Sequence, residues 1–258
     1  MQVCGEKRMM LNNTYWLTLM KKIMISASII CITNLYAQSS FAQPSVALSR
    51  DTLLKAIECI KKNTHEAVKA THAHPVSLCN TTIMAFVPNQ YLLLQGKKMS
   101  DCHVNATTHG VPPTSQYIDL LVLPLTKVTG VEDQHRPNGI WQQAWTIAQS
   151  YLPDNGLIVL AANPRHYRTQ DQLHIHILRQ QPGIINYVNK LKPIYISSLS
   201  GAVDPVWAAA ERHSNSHINS GELGIAVLFD HIKQKFAVVT STDPTERTFG
   251  LQCPTTPH

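Results

Sequence analysis

The sequence predicts an α+β fold, an antiparallel sheet with flanking helices. Three observations carry that expectation. Residues 117–125 and 156–162 are short, strongly apolar runs with the length of buried strands. Residues 138–152 carry an apolar stripe at helical spacing: Ile140, Trp141, Ala144, Trp145, Ala148 and Tyr151. Strand-like and helix-like segments follow one another with no repeated βαβ unit, which disfavours a doubly wound parallel sheet.

In chain order, residues 43–50 read as a linker. Residues 50–62 place Leu53, Leu54, Ile57 and Ile60 at helical spacing. Residues 63–82, rich in histidine and threonine, read as loop, and 83–86 with 91–94 as a pair of short strands. The strand at 117–125 ends at Pro124, which cannot donate to a ladder. The helix at 138–152 has Asn138 as its cap and Pro153 as its stop. A strand at 156–162 leads through the polar loop 163–169 into a strand at 172–178. Helices are expected near 184–191 and at 204–213, where Asp204 caps and Pro205 opens the first turn. Residues 223–229 and 236–241 read as a closing strand pair.

The N-terminus is read apart from this fold. Lys21 and Lys22 precede the apolar run 23–32, and Ser40-Phe41-Ala42 supplies a small-residue site, the order of a secretory leader over residues 1–42. The run is too short and too polar for a membrane span, although an uncleaved anchor is the alternative. Residues 43–258 are then a single catalytic domain. Removing Lys7, Arg8, Lys21, Lys22 and Glu6 lowers the 22 basic and 16 acidic residues to 18 and 15. That mild excess has no basic cluster and does not suggest nucleic acid. It is compatible with an anionic membrane surface. Four cysteines remain, Cys59, Cys79, Cys102 and Cys253, with three possible pairings that the sequence does not choose among.

The chemistry concentrates in Arg168-Thr169-Gln170-Asp171-Gln172-Leu173-His174-Ile175-His176-Ile177. On a strand, Leu173, Ile175 and Ile177 face the core, while Gln170, Gln172, His174 and His176 share the other face. Two adjacent imidazoles suit phosphoryl transfer: one attacks phosphorus, the other binds phosphate or protonates a leaving oxygen. Arg165 and Arg168 on the preceding loop could neutralise a diphosphate. Taken alone, His-x-His also fits a metal-ligand pair or a purely structural pair. His166, Tyr167 and Lys127 read as solvated, and His72, His74, His103 and His109 receive no role.

The histidine segment resembles the histidine triad superfamily, whose strand ends in His-x-His-x-His and whose middle histidine becomes transiently nucleotidylated. It resembles more closely the CDP-diacylglycerol pyrophosphatase family, in which an Asn, two arginines and a Thr-Gln precede the histidines. Here these are Asn163, Arg165, Arg168, Thr169 and Gln170. Residues 117–124, Thr126, Gly130-Val131-Glu132, the Trp141–Trp145 helix, the Cys59 region and Cys253 extend the resemblance over about residues 51–253. Gln172 stands where the family has its first histidine. The resemblance implies a histidine-triad-like fold and hydrolysis of CDP-diacylglycerol to CMP and phosphatidic acid. His174 would be the nucleophile and His176 its assistant. Gln170, Gln172, Thr169, Asn163, Arg165 and Arg168 would bind substrate. No metal and no cofactor are expected. The partner is CDP-diacylglycerol in the membrane, with membrane-surface association, and the location exported, periplasmic or inner-membrane-associated. The alternatives are a hydrolase of soluble nucleotide diphosphates and a non-catalytic metal- or nucleotide-binding protein.

Overall fold

The computed structural model describes residues 50–96, 117–215 and 217–252. Residues 1–42, expected to form a leader, and Cys102, Cys253, His103 and His109 lie outside them. The described residues form an α+β unit around one nine-stranded, wholly antiparallel sheet. Its strands are β1 (Val76–Leu78), β2 (Thr81–Val87), β3 (Tyr91–Gln95), β4 (Asp119–Pro124), β5 (Ile158–Ala162), β6 (Ile175–Arg179), β7 (Ile194–Ile196), β8 (Gly224–Asp230) and β9 (Lys235–Ser241). They lie in the order β1-β2-β3-β4-β6-β5-β8-β9-β7. None of the described helices is long and apolar enough to cross a membrane.

Side-chain alternation divides the sheet into two faces. One face carries Leu120, Val122, Leu160, Ile175, Ile177, Ile225 and Val227 into the largest core. The helices α3 (Ile140–Tyr151) and α5 (Pro205–His213) cover it. Trp141 meets Trp207 edge-on at 5.2 Å between ring centroids, and Trp145 meets Phe236 at 4.9 Å. The opposite face is covered by two separate patches. Helices α1 (Thr52–Lys62) and α2 (Thr64–Ala67) pack Ile57, Ile60 and Ala67 over β2, β3 and β4. Helices α4 (Ile184–Lys190) and α6 (Thr245–Phe249) pack Ile184, Val188 and Phe249 over β5, β6, β8 and β9. The seam between these patches runs along β6.

Several boundaries differ from the sequence reading for physical reasons. Residues 63–82 contain α2, β1 and the start of β2 rather than a loop. Elements this short do not persist alone; the Cys59–Cys79 disulfide, spanning 6.1 Å between Cα atoms, ties this stretch to α1. Helix α3 begins after Gly139, not Asn138, whose side chain donates instead to the Ala202 carbonyl. The strand expected at 172–178 is the ladder Ile175–Arg179, because residues 172 and 173 bond to the loop after β4. The 223–229 and 236–241 pair is present as β8 and β9, with β7 added outside β9.

Asp204 caps as expected and does more. Its Oδ1 accepts from Val206 N at 3.0 Å and from Trp207 N at 3.4 Å, while Oδ2 accepts from Gly139 N at 2.9 Å. One buried carboxylate therefore joins the starts of both helices on the main core. Burial raises its pKa, against the pull of those backbone N–H groups.

The disulfide closes a separation of 20 residues, and a loop of that size is worth about 3 kcal/mol. Cys59→Ala should lower the free energy of unfolding by roughly 2–4 kcal/mol in urea titration. In the folded protein, alkylation before reduction should leave Cys59 and Cys79 unmodified.

Candidate active site

β6 is bonded on both edges, with Leu121 of β4 and Ala161 of β5 directly opposite His176. Ile175 and Ile177 are buried in the main core, so the intervening side chain must point to the seam on the other face. His176 and His174 lie together there, with ring centroids 5.0 Å apart and ring planes at 66°. The sequence-predicted pair is thus assembled, His176 buried and His174 partly exposed.

The two rings are held differently. His174 Nδ1 lies 2.8 Å from the Gln172 backbone carbonyl. A carbonyl only accepts, so Nδ1 carries the hydrogen and Nε2 holds the lone pair. Burial pushes the His174 pKa down from 6.5 to about 4, and the charge on His176 adds to that. The Gln172 bond and Glu246 pull the other way, while Arg168 lowers it further. His174 is therefore a neutral imidazole at neutral pH, with a defined tautomer. His176 is the reverse case. Its Nδ1 lies 3.0 Å from Asp119 Oδ1 and its Nε2 lies 3.1 Å from Glu246 Oε2. The Nδ1 contact is a hydrogen bond and the Nε2 contact a charge contact, and two carboxylates beside one ring favour the imidazolium.

Of the remaining residues expected at the site, most are occupied in holding it together. Asn163 is buried, and its Oδ1 accepts from Thr245 Oγ1 at 3.0 Å and from Glu246 N at 3.2 Å. It therefore fastens the start of α6, the helix that carries Glu246. Gln170 Oε1 accepts from Leu53 N at 3.1 Å and serves the open first turn of α1. Gln172 is buried, and its Nε2 donates to Thr126 O at 2.9 Å and Pro124 O at 3.3 Å. Its Oε1 accepts from Val128 N at 3.3 Å. Arg168 is buried in a two-pronged pair with Glu132, with Nη1 2.8 Å from Oε2 and Nη2 bonded to Oε1. It crosses Gly130, where φ is +81° and a Cβ would collide with the guanidinium. Arg168 Nε has no partner among the described residues.

Arg165 and Thr169 are exposed. Arg165 is anchored by its backbone N–H on Gly221 O at 2.7 Å, beside an open cleft that Arg50, His166, Glu222 and Thr242 also line. Its guanidinium makes no ion pair among the described residues. His166 sits 3.1 Å from Thr242 O, and Tyr167 is exposed.

Sequence reasoning missed Asp119 and Glu246. A charge inside the apolar run Ile118-Asp119-Leu120-Leu121-Val122 was a usable signal, because an unpaired buried carboxylate is costly. Glu246 gave none, lying 70 positions from His176 in a polar stretch. Chemically, the arrangement sets a neutral imidazole beside one held between two carboxylates.

The sequence model of the CDP-diacylglycerol pyrophosphatase family matches residues 49–198. Similar proteins include the probable CDP-diacylglycerol pyrophosphatase of Mycobacterium leprae (strain TN), 45% identical over 69 residues, 22% of this chain and 25% of that one. The CDP-diacylglycerol pyrophosphatases of Mycobacterium bovis (strain BCG / Pasteur 1173P2) and Mycobacterium tuberculosis (strain ATCC 25177 / H37Ra) are each 36% identical over 73 residues. Those matches cover 24% of this chain and 28% of theirs. The chain thus spans about a quarter of the length of the curated relatives it matches.

Two outcomes are expected from this geometry. Gln172→Ala strands the Val128 N–H and two carbonyls, and should cost about 1–3 kcal/mol of stability in urea titration. The His174 resonances should titrate near the depressed value of about 4. Because its folded pKa lies below the unfolded one, His174 contributes stability that is full above 6.5 and lost as the pH falls toward about 4. Thermal melts across that window, compared with His174→Ala, should show the loss in wild type and its absence in the variant.

Proposed function

The chain belongs to the CDP-diacylglycerol pyrophosphatase family, and we propose that it hydrolyses CDP-diacylglycerol to CMP and phosphatidic acid with His174 as nucleophile. The observation that carries the mechanism is the bond from His174 Nδ1 to the Gln172 carbonyl, which leaves Nε2 with its lone pair.

In the first step Nε2 attacks the phosphorus next to cytidine. A P–N bond forms, and the bond to the bridging oxygen breaks with its electron pair going to phosphatidate. His176 donates its Nε2 proton to that oxygen and becomes neutral, while its Nδ1–H stays on Asp119. In the second step water attacks the same phosphorus and gives its proton to His176. The P–N bond breaks, and its electron pair returns to Nε2. CMP leaves, and both histidines are as they began. Arg165 on the adjoining loop has its charge available for the diphosphate. The transiently nucleotidylated middle histidine is the chemistry of the histidine triad proteins, and we extend that relation to this fold as part of the proposal. The imidazolium contacts of His176 weigh against a metal-binding, non-catalytic reading.

We also place the protein outside the cytoplasm, exported and working in the periplasm or against the inner membrane, where its lipid substrate resides. The Cys59–Cys79 disulfide supports an oxidising compartment.

Incubating purified protein with CDP-diacylglycerol in the presence of chelator should release CMP. His174→Ala should abolish release, and His176→Ala should slow it by roughly 10²–10⁴-fold. Quenching without acid should trap a CMP adduct on wild type and none on His174→Ala. Full activity in His174→Ala ends the mechanism, and turnover of soluble CDP-alcohols in preference to the lipid ends the substrate assignment.

A further inference from the structure

His176 sits in a packing seam where an aliphatic side chain would be the simplest solution. Its strand neighbours are Leu121 and Ala161, and the patches on either side are apolar. The chain instead brings three polar groups to that point. Asp119 comes from β4, and its carboxylate occupies space that exists because residue 96 is glycine; a Cβ there would collide with Asp119 Oδ2. Glu246 comes from α6, a helix of five residues whose first turn is held by Asn163 through two hydrogen bonds. A buried ion pair of this kind is weak evidence for stability, since apolar replacements often fold as well or better. Burying two carboxylates around one imidazole is costlier still. The geometry therefore points to a role in holding charge on the ring.

We propose that Asp119 and Glu246 form a carboxylate clamp that keeps His176 protonated, and that Asn163 acts on the reaction by fixing Glu246 rather than by touching substrate. The inference rests on the reading of His176 as the acid that protonates the leaving phosphate. Phosphatidate leaves as a phosphate oxygen next to other anionic oxygens, and a proton must be in place as the bridging bond breaks. An imidazole with ordinary surroundings is largely neutral at neutral pH. The clamp removes that deficit before substrate arrives.

Titratable and charged groups reach His176 from several elements: Asp119 from β4, Glu246 from α6 and His174 from the same segment of chain. Arg247 lies 3.9 Å from the other oxygen of Glu246, and Arg168 acts on the neighbouring His174 from the loop. Among the described residues, the two carboxylates in contact set the sign. Loss of either lowers the pH at which His176 gives up its proton. The basic limb of the rate profile, which requires protonated His176, then moves to lower pH.

The test is histidine 15N resonance titration of the purified full chain, beside pH–rate profiles for CMP release. Glu246→Gln and Asp119→Asn keep the side-chain shapes. Wild type should show His176 doubly protonated at neutral pH. In each variant the midpoint should fall by about one pH unit or more, the size of effect an adjacent opposite charge exerts, and the basic limb should follow it. Asn163→Ala should shift the limb in the same direction with KM changed less than about threefold. A neutral His176 ring in wild type at neutral pH, or a midpoint unmoved in both isosteric variants, overturns the clamp. A KM rise above about tenfold in Asn163→Ala with an unmoved limb makes Asn163 a substrate ligand and overturns its positioning role. If the midpoints move as expected while wild type releases no CMP from CDP-diacylglycerol, the clamp is supported and the assigned activity falls.

Discussion

A strand inside a sheet can direct its side chains to only two faces, and in β6 that restriction couples packing to chemistry. Ile175 and Ile177 enter the main core, each worth about 1.5–3 kcal/mol of burial. His176, between them, has no other place than the seam on the opposite face. A slip of one residue would drive an imidazolium into the aliphatic core and set an isoleucine against two carboxylates. The register that pairs Leu121 and Ala161 with His176 also pairs Asp119 with Leu178, one step along the same face. Backbone ladders thus bring Asp119 to His176, and the packing energy of the core holds the contact.

The loop from Asn163 to Gln172 shows how far polar residues near a site can be committed to its construction. Every buried polar group needs a partner, and here the partners are mostly structural. Gln172 staples the loop after β4, Gln170 serves the first turn of α1, and Asn163 fastens α6. Arg168 gives its fork to Glu132. A guanidinium bound in that way has little charge to spare for a ligand, whereas that of Arg165 makes no ion pair among the described residues. The glutamine at the position of the family's first histidine fits this pattern. The contact that matters to His174 comes from the backbone carbonyl of residue 172, which any side chain supplies.

Period-two alternation over 173–177 made the shared face of His174 and His176 legible in the sequence, and helical spacing did the same for α1 and α3. The Asp204-Pro205 start of α5 was legible for the same local reason, a side chain reaching its own next backbone groups. What could not be read were contacts set by sheet order. Asp119 lies 57 positions and Glu246 70 positions from His176, and no local rule connects them. Asn163 was legible as a polar residue near the histidines but not as the anchor of α6, because that helix has five residues and no amphipathic signature. Gly96 and Gly130 make the same point. Each is needed for the room it leaves to a side chain from elsewhere, Asp119 or Arg168, and that need has no local trace.

Two histidines one residue apart would by default titrate alike. Their surroundings drive them apart. His174 meets a carbonyl, which stabilises a single N–H, and a neighbouring charge, which disfavours a second proton. His176 meets carboxylates on both nitrogens. Each state supports the other: a charged His176 holds His174 neutral, and a neutral His174 exerts no repulsion on His176. Exchanging the protonation states would place a positive ring in a buried site beside Arg168, and a lone pair against a carboxylate. Both are unfavourable. The difference between the two rings is therefore a consequence of where β6 lies between β4 and β5, and not of any difference between the two side chains.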